Sequence, residues 1–108
     1  MNVHDPATSL EWATKNAILL EDHLATSELF CLECIAKHWL ALEAYLAEAV
    51  SLDKGQQFSD LVDVADWATN RRRAFELGGL TNLEAASAVR DVRKTIEYLR
   101  RRASEGAT

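Results

Sequence analysis

The chain has 108 residues, of which 48% are hydrophobic and 27% charged, with a formal net charge of −5. One proline and four glycines are too few for the turns of a β-sandwich or small barrel, and no apolar run is long enough to span a membrane. An acidic chain is also a poor general binder of nucleic acid, which needs Lys and Arg on its phosphates.

These features predict one all-α domain over residues 1–108. The opening residues carry neither a basic stretch nor an apolar run, so the expected location is cytoplasmic and not secreted. The charge is uneven. Residues 1–66 hold 12 acidic and 3 basic side chains, whereas residues 67–108 hold 5 acidic and 9 basic. The two halves are expected to attract one another within the fold, or the basic half to meet an anion or an acidic partner.

Four helices are predicted in chain order, about 6–24, 28–52, 60–77 and 82–102. The first opens at Asp5 and Pro6, a capping residue followed by the residue that suits the first helical position. Leu10, Ala13, Ala17, Leu20 and Leu24 then recur at three- and four-residue steps. Ser27 caps the second, whose stripe is Ile35, Trp39, Leu42, Leu46, Ala49 and Val50. Ser59 caps the third, with Leu61, Val64, Ala65, Ala68 and Phe75 on one face and Gly78-Gly79 as its stop. Thr81 and Glu84 form a capping box for the fourth, followed by Ala85, Val89, Val92, Ile96, Leu99 and Ala103 as a heptad-like seam. Residues 104–108 read as frayed. Short connections suit antiparallel neighbours, so the expected fold is an antiparallel four-helix bundle.

One feature has chemical content. His23, Cys31, Cys34 and His38 are spaced H-x7-C-x2-C-x3-H. On a helix, Cys31, Cys34 and His38 fall within about 60° of arc, and a hairpin would lay His23 over the same face. Two thiolates and two imidazoles make a tetrahedral set suited to Zn²⁺, which would pin the first helix to the second. Asp22 would accept an imidazole N–H or serve as an alternative ligand. The same arc adjoins the apolar stripe, so the two cysteines also fit a core role. A third reading is thiol redox chemistry between Cys31 and Cys34, with an acidic thiol and an easily reversed disulfide.

L-E-D-H-L at residues 20–24, C-x-x-C-I-x-K-H at 31–38, L-E-A at 42–44 and E-A-x-x-L-D at 48–53 resemble a set of small helical proteins of bacteriophage and environmental viral genomes. The resemblance covers about residues 15–54. It implies a viral accessory or particle protein in the host cytoplasm and a metal role for Cys31, Cys34 and His38. It brings no catalytic residue.

Several enzyme classes are excluded by spacing. The chain has no Glu-x-x-His pair of a di-iron bundle, no H-E-x-x-H, no deaminase H-x-E with P-C-x-x-C, and no C-x-x-C-H. The basic residues offer another surface. Arg71, Arg72, Arg73, Arg90, Arg93, Lys94 and Arg101 form a candidate anion site for a nucleotide or RNA, or else a solvated face on which Glu97 pairs with Arg93 or Arg101. Trp12 and Trp67 lie off the cleanest stripes, as covers for helix junctions or as marks of self-association. The sequence thus points to a non-catalytic, zinc-stabilised helical interaction protein, with a protein partner or self-association. The alternative is an oligomeric module capturing a nucleotide-like anion on its Arg-rich face.

Overall fold

A computed structural model describes residues 6–26, 32–53 and 60–106, with side chains through Arg102. These residues form four helices, α1 (Pro6–Ala25), α2 (Leu32–Leu52), α3 (Asp60–Glu76) and α4 (Asn82–Gly106), and among them there is no strand. The expected start of α2 near residue 28 lies outside the described residues, as do the caps assigned to Asp5, Ser27 and Ser59.

The helices pack as a bundle in which α1 touches α2 and α4, and α3 touches the same two helices from the opposite corner. Side-chain pairs set the directions. Ser9 meets Glu48 at one end of α1 and His23 meets His38 at the other, so α1 and α2 run antiparallel. Glu43 meets Thr69 while Trp39 meets Phe75, so α2 and α3 are antiparallel too.

The core follows the predicted stripes, except that Val50 is only partly buried and the Ala103 side chain lies outside the described residues. Leu10, Ala13, Ala17, Leu20 and Leu24 of α1 are buried against Ile35, Trp39, Leu42, Leu46 and Ala49 of α2 and Ala85, Val89, Val92, Ile96 and Leu99 of α4. Each fully buried Leu or Ile contributes about 1.5–3 kcal/mol relative to exposure. Ala13 and Ala17 sit at the centre of the α1 stripe, and their small side chains let α1 approach two neighbours at once. Helix α3 is different. Only Leu61, Val64 and Ala68 of its apolar stripe are fully buried, with Ala65 and Phe75 packed at the margin.

The α3–α4 turn follows its sequence signals closely. The Gly78 N–H donates to the Phe75 carbonyl and the Gly79 N–H to the Ala74 carbonyl at 2.7 Å, the paired bonds of a Schellman stop. Gly78 takes a φ of 81°, which a side chain would strain. Thr81 then caps α4. Its hydroxyl accepts from the Glu84 N–H at 3.1 Å, and the Glu84 carboxylate accepts from the Thr81 N–H at 2.9 Å.

The boundaries need two corrections. Helix α3 ends at Glu76, one residue before the expected 77, because Leu77 already belongs to the turn. Helix α4 continues past the expected 102 to Gly106, since Ala103, Ser104 and Glu105 include no helix breaker. Among the described residues no helix is long and apolar enough to cross a membrane.

Candidate metal centre

The apolar seam between α1 and α2 fixes the position of the two histidines. His23 precedes the buried Leu24, and His38 precedes the buried Trp39. Each therefore flanks the seam by about 100° of helix turn, and antiparallel packing sets them on the same side. Their rings stack with centroids 5.2 Å apart and planes 17° from parallel. Both are half-buried. Burial pushes the His38 imidazole below its ordinary value, and charge repulsion from His23 and Lys37 pushes the same way. A depressed value keeps the ring neutral, with the nitrogen lone pair that a metal takes.

Cys34 stands one turn before His38, half-buried in the first turn of α2. Its sulfur is disulfide-bonded, and among the described residues there is no free thiol. The only other cysteine of the chain, Cys31, lies outside the described residues. In the disulfide the Cys34 sulfur has no thiolate charge to offer. Among the described residues no three potential ligands converge in a form that holds a metal. Thiolate and neutral imidazole are the preferred ligands of Zn²⁺, so Cys34 would have to be reduced to serve as one. Asp22, the expected helper, lines a different groove with Ile18, Glu21 and Arg93.

The cationic residues divide into two groups. Arg72 is held between Glu43 of α2 and Glu76, while the Thr69 hydroxyl donates to Glu43 at 2.8 Å. The hydrogen bond to Glu43 raises the Arg72 pKa, against a smaller opposing effect of burial. Arg93 is held in the same way by Glu21 of α1 and by Glu97, and the Glu21 bond raises its pKa. Arg90 reaches Glu21 at 3.6 Å. These three are engaged in ion pairs of the fold. Arg71, Arg73, Lys94 and Arg101 are exposed, and among the described residues none is in an ion pair. Arg71 lies over the Trp67 ring at 5.9 Å.

Two further features carry no local signal in the sequence. Glu21 and Glu43 are the acceptors that organise the arginines, yet they lie 72 and 29 residues from them. A groove of about 320 Å³ opens between α2 and α3, walled by Ile35, Trp39 and Phe75 and rimmed by Arg72 and Glu76. Leu32, at its edge, is 62% exposed, and Leu77 and Leu83 of the α3–α4 turn are 87% and 73% exposed. Trp12 is half exposed, stacked on Tyr45 across the α1–α2 junction and covered by Lys15. No family model, curated protein or solved structure matches this chain.

Proposed function

We propose that this is a non-catalytic helical interaction protein whose α1–α2 hairpin is stabilised by one zinc ion on His23, Cys31, Cys34 and His38. One observation carries the metal reading: the His23 and His38 rings meet across two helices, with Cys34 one turn from His38. With the thiols reduced, zinc would tie the end of α1 to the start of α2. Binding of the metal to the folded form alone would add directly to stability. The interaction role draws on the exposed Leu32, Leu77 and Leu83, large apolar side chains that folding leaves in water. A viral accessory or particle component is the biological setting that the resemblance of residues 15–54 implies.

Native mass spectrometry of the reduced protein tests the metal. The expected result is one zinc per chain, lost in His38→Ala and in Cys34→Ser. A reduced, folded chain that retains no zinc would overturn the reading.

A second reading draws on the exposed Arg71, Arg73, Lys94 and Arg101, which remain available to an anion. It predicts capture of a nucleotide or RNA that weakens steeply with salt. Binding that ignores salt would remove it.

A further inference from the structure

We propose that the groove between α2 and α3 binds a small organic amine, an aromatic ring carrying a short ammonium arm. Ile35 and Trp39 of α2, both buried, form its floor. Leu32, Ala36 and Phe75 form its walls, and Arg72 and Glu76 of α3 stand at its mouth. The site goes beyond the interaction role and uses none of the residues of the zinc reading, so it stands or falls independently of that reading.

The shape selects the body of the ligand. Ala36 puts a small side chain into the groove, and the two helices close on each other only where Trp39 stacks on Phe75 at 5.6 Å between ring centroids. Trp39 donates its indole N–H to the Ala68 carbonyl at 3.1 Å, so the one polar side-chain atom of the floor is already engaged. The floor is therefore apolar and held in place before anything binds, which lowers the cost of binding. A volume of about 320 Å³ lies at the small end of ligand sites, with room for one aromatic ring and a short chain.

The mouth selects the charge. Arg72 bonds Glu43 through Nε and Glu76 through Nη1, so one cation stands between two carboxylates and one negative charge is left over. Glu43 is also held by the Thr69 hydroxyl, and its side chain is only 14% exposed. The surplus therefore falls on Glu76, whose side chain is 52% exposed and whose Oε2 accepts no hydrogen bond among the described residues. Glu76 is the last residue of α3, at the negative end of the helix dipole, where a cation is favoured. Lys37 and Arg73, the cations next to the lining residues in sequence, are exposed, and among the described residues neither is in an ion pair. An anion reaching Arg72 would meet both carboxylates that hold it. An ammonium meets Glu76 at the mouth while its ring occupies the apolar floor.

The test titrates the full chain with phenethylamine and follows chemical shifts by NMR. Phenethyl alcohol and phenylpropionate serve as the neutral and anionic counterparts. The expected result is saturable binding of the amine at about 1 mM or tighter, with the largest shifts at Ala36, Trp39 and Phe75. The amine should bind about fivefold tighter than the alcohol, the gain of one exposed ion pair, and the acid more weakly than either. Glu76→Gln should bring amine and alcohol to about the same affinity. Ala36→Phe, which fills the groove, should abolish binding of both, and Glu76→Gln carries the test alone if the filled variant does not fold. No saturable shift below about 10 mM would overturn the proposal. So would equal binding of amine, alcohol and acid, shifts centred away from the groove, or an affinity that Glu76→Gln leaves unchanged. A chain that dimerises through this face and excludes the amine would assign the groove to a second copy and overturn it as well.

Discussion

Glu21 and Glu43, on α1 and α2, each hold an arginine from a neighbouring helix, whereas His23 and His38, on the same two helices, face one another as like groups. The difference separates polar contacts that pair opposite charges from one that sets two like groups side by side. In the ion clusters each arginine has an opposite partner across the interface, and Thr69 fills a further acceptor site on Glu43. Their presence is accounted for by the packing they accompany. Two imidazoles stacked on each other gain little by comparison, and if both were protonated they would repel. A cation that shares both lone pairs turns that arrangement into a bond.

The largest expected effect lies on the closed side of this comparison. Trp39 is buried, stacks on Phe75 with ring centroids 5.6 Å apart, and donates its indole N–H to the Ala68 carbonyl at 3.1 Å. Since α3 buries few side chains of its own, this residue does much to hold it. Trp39→Ala should lower the unfolding free energy by about 3–5 kcal/mol, measured by urea denaturation. A loss below about 1 kcal/mol would show that α3 is held by other contacts.

Next comes the Glu43 cluster itself. Arg72→Met keeps the apolar stem but leaves the Glu43 carboxylate, whose side chain is 14% exposed, without its cation. A cost of about 1.5–3 kcal/mol is expected, the range for a hydrogen bond to a charged group. A neutral outcome would place this pair with ordinary surface ion pairs.

Glu84 is a closed contact at the surface. The Thr81 backbone N–H, then its hydroxyl contact, hold the Glu84 carboxyl below its ordinary value. A carboxyl with a depressed folded-state pKa binds fewer protons when folded than when unfolded. Its contribution is complete above the ordinary value of 4.5 and is lost as pH falls through the lower folded value. Wild type should therefore melt slightly above Glu84→Gln at pH 7, with the gap closing as pH falls below 4.5 and through the lowered folded value. A gap independent of pH would mean that the charge adds nothing to the cap.

The smallest effect belongs to the open side. In reduced protein without zinc, His23→Leu combined with His38→Leu should change stability by no more than about 0.5 kcal/mol, or raise it. The same variant should lose all stabilisation by zinc. A loss comparable to that of Arg72→Met, in the absence of metal, would mark the histidines as a structural contact.

Legibility in the sequence followed the range of the interaction. The Schellman stop at Gly78 and Gly79 and the Thr81–Glu84 box were readable because each is fixed within six residues. The core stripes were readable because helical periodicity is a property of one segment, and Glu97 pairs with Arg93 four residues away as that spacing implies. The partners Glu21 and Glu43 were not readable. Any of the chain's carboxylates satisfies the same local pattern, and only packing selects which one meets Arg93 or Arg72. The meeting of His23 and His38 was legible as a possibility of the hairpin. The disulfide state of Cys34 was one of three readings, and the sequence could not choose among them because thiol and disulfide share one sequence. Asp22 shows a limit of proximity along the chain, since one residue of separation from His23 turns it toward Glu21 and Arg93.

The most direct test of the zinc site is cobalt substitution of the reduced chain. Co²⁺ reports both coordination number, through its visible ligand-field bands, and sulfur ligation, through a near-ultraviolet charge-transfer band. The account predicts tetrahedral bands with a sulfur charge-transfer band that weakens in Cys34→Ser and is lost on addition of excess zinc. A spectrum of hydrated, six-coordinate cobalt in the folded, reduced protein would contradict it.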